Sequence, residues 1–302
     1  MTWKVKAAIQ RVLSAIPGGT DVNYLLQRYV AKTLPESEVL FEGKATVALR
    51  HMKVLGEQTG ELGTKLFYEF GAGRDLCGPL VFYSMGVSRQ RVVDLDFILR
   101  PFLVNDAIRR LRASAARYGL LRVPERFIRE DKRGCLEDLR QFYGIEFTAP
   151  ADARNTGFPA GSVDIVTSTN TLEHIPPADI AAILKETRRI LSPAGVMSFQ
   201  VDYKDHWSYF DSGITIYNFL RYPGAEWVRY NPSLNYQNRL RHADYLALYR
   251  QAGLDCVEVN RVQKPGDLEL LASLPSLAPE FQSYSPEDLS VRTGFVLLRP
   301  KT

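Results

Sequence analysis

The chain has no apolar run approaching the roughly 18 residues that a membrane-spanning helix requires, and its first apolar stretch is broken by Gln10 and Arg11. Neither a transmembrane anchor nor a secretory signal is expected. Cysteine is scarce. Cys77, Cys135 and Cys256 are odd in number, far apart and without metal-ligand spacing, which excludes a disulfide framework and a zinc-finger set and predicts a reduced, cytoplasmic chain. Charge of one sign is in small excess, +4 from 38 basic and 34 acidic residues, too little to mark a nucleic-acid or membrane surface. That excess is concentrated. Between Arg100 and Arg140, ten Arg and one Lys meet six acids, a local balance of +5. Such a stretch reads as a solvated, internally paired helix face before it reads as a phosphate-binding strip. Histidine occurs only as His51, His174, His206 and His242, so imidazole chemistry has few carriers.

What is present fits a folded α/β protein of 302 residues, 45% hydrophobic and 24% charged, enough for one large domain or two small ones. Val5, Ile9, Val12, Leu13 and Ile16 share one helix face and Pro17-Gly18-Gly19 stops the helix; packing of that face onto the neighbouring domain is expected rather than a place on a membrane. Further helices are expected at about 21–33 and 37–58, so 1–64 reads as an N-terminal helical cap. From Lys65 to the end, short apolar runs alternate with helical stretches, the pattern of a mostly parallel sheet covered on both faces. Strands are expected at Leu66–Phe70, Arg91–Asp94, Ile145–Thr148, Val163–Ser168, Val196–Val201, Asp255–Val262 and Gly294–Arg299, the last two pairing as an antiparallel edge, with helices at 177–191 and 243–252. Insertions at about 100–142 and 202–242 would form a lid.

The first strand runs into Gly71-Ala72-Gly73. Glycines there let the backbone turn tightly and approach a nucleotide-like ligand. A dinucleotide fingerprint would place a third glycine at position 76, where this chain has Leu76, which weakens a nicotinamide-dehydrogenase reading. Past the second strand, Asp94 and Asp96 can each accept hydrogen bonds from a ribose diol; Asp96 is the better placed by spacing, and Asp94 stays open. Ala151-Asp152-Ala153 follows the third strand, and Asp152 suits an adenine amino group.

Together these features resemble the class I S-adenosylmethionine-dependent methyltransferases over about residues 65–201. The resemblance rests on Glu69-Phe70-Gly71-Ala72-Gly73, Asp96, Ala151-Asp152-Ala153, the block Phe158–Val166, Thr171-Leu172-Glu173-His174-Ile175 and Leu191-Ser192-Pro193-Ala194-Gly195. It implies S-adenosylmethionine as cofactor. Glu69, Gly71 and Gly73, with Ala72 in the same turn, would cradle methionine and ribose, Asp152 and Ala153 would contact adenine, and the backbone at Asn170 and Leu172 would line the sulfonium. It also implies a doubly wound seven-stranded sheet whose last strand is antiparallel. The fifty or so residues between Asp96 and Ala151 exceed the family's usual connection.

Methyl transfer is an in-line displacement that asks the protein mainly for positioning, and a hydroxyl acceptor gains from a general base. His206, just past the fifth strand, is the first choice, with Asp202 or Asp205 to orient it or act instead. The group Asp202, Asp205, His206 and Asp211 lacks a tight spacing rule, and no metal is expected. Ten aromatics between 202 and 236, interleaved with Asn218, Arg221, Arg229, Arg239 and Arg241, suit a sugar or an anionic aromatic metabolite. Tyr203, Trp207, Tyr217, Asn218, Arg221 and Arg239 are the candidate acceptor contacts; a lid with a tyrosine-rich core explains many of them equally well. The segment looks like bacterial methyltransferases of surface-glycan or secondary-metabolite pathways, which leans towards O-methylation of a saccharide or other polar small molecule. The rivals are an RNA methyltransferase using the basic stretch and a scaffold that binds cofactor without turnover. A homodimer is compatible with either.

Overall fold

Residues 2–301 are described by a computed structural model, so Met1 and Thr302, the outer ends of the two expected segments, lie outside the described residues. One sheet of seven strands organises the chain: β1 (Leu66–Phe70), β2 (Arg89–Val93), β3 (Ile145–Thr148), β4 (Val163–Thr169), β5 (Leu191–Asp202), β6 (Leu254–Val262) and β7 (Thr293–Pro300). Their order is β3-β2-β1-β4-β5-β7-β6. β1 to β5 run parallel, and β7 is antiparallel to both β5 and β6. This is the doubly wound, mostly parallel architecture expected of the sequence. Every expected strand exists, with two shifted bounds that matter. β2 starts at Arg89 and ends at Val93, leaving Asp94 as the first residue beyond it. β5 starts at Leu191 because Ser192-Pro193-Ala194-Gly195, read as a turn, is carried in the strand past a register shift opposite Val163 and Ile165.

Apolar residues on the two sheet faces form separate cores. One gathers helices Glu38–Thr59, Cys77–Ser84, Pro101–Ala113 and Lys132–Tyr143 on one face, against residues of β1 to β5 and β7; the other gathers Pro177–Ile190 and His242–Gln251 on the opposite face, against residues of β1, β2 and β4 to β7. The basic stretch therefore lies in helices whose charges meet one another. Arg110 pairs with Asp106 and Glu38, Arg129 with Asp138 and Glu137, Arg133 with Glu137, and Arg117 with Glu42. The helix expected over 21–33 divides into an α-helix, Gly19–Leu25, and a π-helical turn, Leu26–Val30. No helix among the described residues is long and apolar enough to cross a membrane.

The first helix, Trp3–Ser14, packs on the rest of the chain but through a different face from the expected one. Trp3, Ala7, Gln10 and Leu13 are buried, while Val5, Ile9, Val12 and Ile16 are exposed. Trp3 decides this: its ring packs among Trp207, Tyr222, Trp227 and Tyr230, and its backbone N–H donates to Asp211 at 2.9 Å. One indole buries far more area than a valine, so aromatic anchoring overrides the aliphatic stripe.

His51 ties the long N-terminal helix to the sheet. It is fully buried, with Nδ1 2.6 Å from Ser198 Oγ and Nε2 3.1 Å from Thr169 Oγ1. Burial first, then the Arg50 charge, pull its pKa down to about 3 from 6.5. The unfolded chain therefore takes up a proton first as pH falls, so stability is full above pH 6.5 and declines towards pH 3. Between pH 6.5 and 4 the loss from this residue is about 3 kcal/mol, at 1.36 kcal/mol per pH unit. Urea titrations at pH 7 and pH 4 should show that slope in the wild type and a flatter one in His51→Asn.

Candidate active site

Strand order reverses between β1 and β4, and ligands of open α/β sheets bind at the carboxyl ends of strands beside such a reversal. A cavity of about 500 Å³ opens there, lined by Gly71, Gly73, Asp94, Leu95, Asp96, Ala151, Asp152, Ala153, Asn170, Thr171 and His174, with Tyr236 on its far wall. Gly71 has φ +72°, and a Cβ on it would lie 2.2 Å from Thr171 Cγ2; the Thr171 hydroxyl donates to the Gly71 carbonyl at 2.9 Å. Only glycine fits this turn. At Gly73, φ +78°, a Cβ would meet nothing within 4 Å, so the backbone faces open space. Leu76, where a dinucleotide fingerprint has its third glycine, itself adopts φ +50° with its side chain buried.

The two ribose candidates differ in surroundings. Asp94 has a buried Oδ2 without a hydrogen-bond partner, and burial raises its pKa to about 6 against the pull of the Asp96 and Leu95 backbone N–H groups. Asp96 is exposed at the cavity rim. Both line the cavity, so both candidates from the sequence stand at the expected place. Asp152 lines the cavity but is clamped by Arg154 at 2.7 Å, which also reaches Asp179, and the Arg154 hydrogen bond holds the Asp152 pKa below the usual carboxylate range. Glu69 is 3% exposed beneath the turn, where a Cβ on Gly78 would lie 3.4 Å from its Oε1; burial pushes its carboxyl up to about 8. Glu69, Ala72 and Leu172 support the cavity from behind and do not line it.

A second cavity, about 400 Å³, adjoins the first and shares His174 with it. Its walls come from the N-terminal helices (Gln27, Glu36, Phe41, Lys44), from Leu103, Asp106 and Arg110 of the basic stretch, and from His206, Tyr209, Phe210 and Asn235. Two of its cations are matched by acids, Lys44 by Glu36 at 2.8 Å and Asp75 at 2.9 Å, and Arg110 by Asp106 at 2.7 Å, while Arg74, also in its wall, reaches only the Gln27 amide oxygen at 3.0 Å.

Residues 128–199 match the family model for a methyltransferase domain. That stretch carries β3, β4, Asp152 and the Thr171–His174 turn. No curated protein matches the sequence. Among solved structures, the chain is similar to a geranyl diphosphate C-methyltransferase from Streptomyces coelicolor A3(2), at 14% identity over 88% of this chain and 85% of that one with a TM-score of 0.48. It is likewise similar to the PH0226 protein from Pyrococcus horikoshii OT3, at 14% identity over 91% and 98% of the two chains, also with a TM-score of 0.48. The residues present fit S-adenosylmethionine, the methyl donor such domains use: a glycine turn open towards the cavity, and an orphaned buried carboxylate oxygen on Asp94 where a diol needs an acceptor.

Where the two cavities meet, His174 and His206 face each other with ring centroids 4.9 Å apart. His206 Nε2 has no hydrogen-bond partner and lies 3.7 Å from Asp202 Oδ2. Asp202 also receives the Tyr209 hydroxyl and has Lys204 Nζ at 3.4 Å. Burial works against its charge, but His206, Lys204 and Tyr209 outweigh it and hold its pKa low. Asp205 is elsewhere: it caps the short turn His206–Tyr209, accepting from the Trp207 N–H at 2.8 Å and Asn218 Nδ2 at 3.1 Å, with no exposure. Glu173, in sequence between Leu172 and His174, is 1% exposed with both carboxylate oxygens unpartnered. Burial, then the Asp202 charge, push its pKa well above the ordinary value. In the sequence it stands out only as part of the Thr171-Leu172-Glu173-His174-Ile175 motif.

The six expected acceptor contacts line neither cavity. Trp207 and Tyr217 belong to a third buried cluster with Trp3, Phe219, Tyr222 and Trp227. The Tyr203 hydroxyl lies 3.0 Å from His242 Nδ1, Tyr217 donates to Ser290 O, Asn218 to Asp205, and Arg239 to the carbonyls of Phe219 and Tyr222. Arg221 sits beside them, 3.3 Å from Asn218 Oδ1. The tyrosine-rich core was the better description of this segment. From it only Tyr209, Phe210, Ser233, Leu234, Asn235 and Tyr236 reach the cavities beside His206, and nothing in residue type separates these from their buried neighbours.

Proposed function

We propose that the protein is an S-adenosylmethionine-dependent methyltransferase acting on a hydroxyl of a polar small molecule, with a saccharide the leading class. The observation that carries this reading is that two cavities meet at His174, one framed for the cofactor and the other polar, with Lys44 and Arg110 in its wall held by acids. When bound, the cofactor supplies a methyl group on a positively charged sulfur. Gly71, Gly73 and Asn170 would hold its methionine end, Asp94 its ribose, and Asp152 and Ala153 its adenine. His206, backed by Asp202, would take the acceptor proton and leave the acceptor oxygen free to receive the methyl group that the cofactor would supply. Six of the ten arginines of 100–140 (Arg100, Arg109, Arg110, Arg117, Arg129 and Arg133) are held by carboxylates and would have to exchange that partner for a phosphate, which speaks against an acceptor such as RNA. Tyr209 and Phe210, both exposed, line the second cavity and suit a sugar.

Calorimetry with S-adenosylmethionine tests the cofactor assignment. Asp94→Ala should weaken binding by about 10- to 100-fold, the worth of one or two charge-assisted hydrogen bonds, and Asp96→Ala by less than about threefold. The reverse ranking would move the ribose to Asp96. Transfer of labelled methyl to fractionated glycans, metabolites and RNA identifies the acceptor, and cofactor binding with no transfer to any fraction would favour the scaffold.

A further inference from the structure

We propose that Glu173, His174 and His206 bind one divalent cation of the borderline class, such as Zn2+, Mn2+ or Co2+, at the junction of the two cavities. One donor atom from each of the three lies within 4.8 Å of the other two. A tetrahedral zinc with bonds of 2.0–2.1 Å sets its ligands about 3.3 Å apart, so closure needs movements of about an ångström. Three independent features point inwards. Both oxygens of Glu173 are unpartnered although the residue is 1% exposed, and His206 Nε2 is unpartnered with the residue 9% exposed. A buried donor or acceptor left without a partner is costly and uncommon in native proteins. His174 is held in the tautomer that a ligand needs: Nδ1 lies 2.7 Å from Tyr236 O, a carbonyl that can only accept, so Nδ1 carries the proton and Nε2 keeps its lone pair. A backbone carbonyl accepting from the far nitrogen is a usual companion of a metal-bound imidazole. Two imidazoles and a carboxylate suit these ions better than magnesium or calcium, which favour oxygen ligands alone.

The ligands are placed by the fold. Glu173 and His174 sit on the short turn after β4, and His206 follows β5, its sheet neighbour. Asp202 Oδ2, 3.7 Å from His206 Nε2, stands as the acidic backing of the site. The inference rests on the methyl-transfer reading and deepens it. A cation there would polarise the acceptor hydroxyl, as Lewis-acid metals do, the released proton passing to water in the cavity, and His206 would serve as ligand in place of proton acceptor.

The test is titration of the full-length protein with Co2+, followed by its visible d–d absorption and by metal analysis after gel filtration. One equivalent should bind with a spectrum of mixed imidazole–carboxylate ligation. Glu173→Gln and His206→Ala should each weaken binding by at least about 100-fold, while Asp211→Asn, a surface acid, changes nothing. Should Glu173→Gln fail to fold by circular dichroism, His206→Ala and His174→Ala decide. No binding at 1 mM Co2+, or binding unchanged in the variants that fold, overturns the site. Calorimetry with S-adenosylmethionine on the same samples keeps the two ideas apart. Heat without cobalt binding leaves the methyltransferase reading intact, and cobalt binding without heat leaves the cation site intact.

Discussion

Replacing Arg241 with Leu is expected to destabilise the protein by about 3–5 kcal/mol, the loss associated with breaking a buried, hydrogen-bonded charge network. Arg241 is 0% exposed. Its Nη1 donates to the Tyr203 carbonyl at 2.8 Å, and its Nη2 donates to those of Leu289 at 2.8 Å and Val291 at 3.0 Å. No ion pair to it occurs among the described residues. The guanidinium is thus held by backbone oxygens alone, which join the exit of β5 to the segment entering β7. Leucine would fill much of the volume and leave three carbonyls dry and unpaired. Lysine keeps the charge, yet its compact ammonium cannot span the same fork, so Arg241→Lys should recover less than half of the loss. Urea unfolding at pH 7 measures both. A loss below about 1 kcal/mol for Arg241→Leu would mean that water enters and satisfies the carbonyls. Because Tyr203 directly follows Asp202, a shift here also disturbs the carboxylate beside His206, and transfer should fall even where the variant stays folded.

Arg241 shows what the sequence made visible and what it hid. Alternation of apolar runs with helices placed all seven strands, but their order, with β1 beside β4 and β5 beside β7, came from the family resemblance and not from chain order. The glycine turn was legible because φ +72° at Gly71 and the 2.2 Å approach to Thr171 leave no other residue type. Burial of polar side chains was not. Arg241, Asn218 and Tyr217 are residue types common at sugar-binding surfaces, and only tertiary packing decides whether their donors meet a ligand or a backbone carbonyl. The same holds for Trp3, whose indole turned a helix against its aliphatic stripe. Asp94 and Asp96 both line the cavity and differ in exposure, which strand propensity does not fix. Glu173 lacked any signal, because its two bare oxygens are a property of three dimensions.

His206→Ala should lower kcat by about 100- to 1,000-fold while the affinity for S-adenosylmethionine changes by less than about twofold. The size is that of a lost proton-transfer group, and the selectivity follows from position: His206 lines the second cavity, whereas the first, proposed to take the cofactor, reaches only as far as His174. The same outcome holds whether the imidazole accepts the proton itself or ligates a cation, since the substitution removes both routes. Asp202→Asn should give an intermediate loss, because the amide keeps a partner for the Tyr209 hydroxyl but no longer balances His206 or Lys204. Asp205→Asn should separate from both. Its carboxylate, pushed up to about 6 by burial, accepts from Trp207 and Asn218. An asparagine would retain one of those contacts and set its own NH2 against that of Asn218, costing about 1–3 kcal/mol of stability with kcat within a fewfold of wild type. Single-turnover methyl transfer beside thermal unfolding separates the three variants. Normal turnover by His206→Ala would remove both His206 roles at once and leave Asp202 as the only ionised group at the junction able to accept the acceptor's proton.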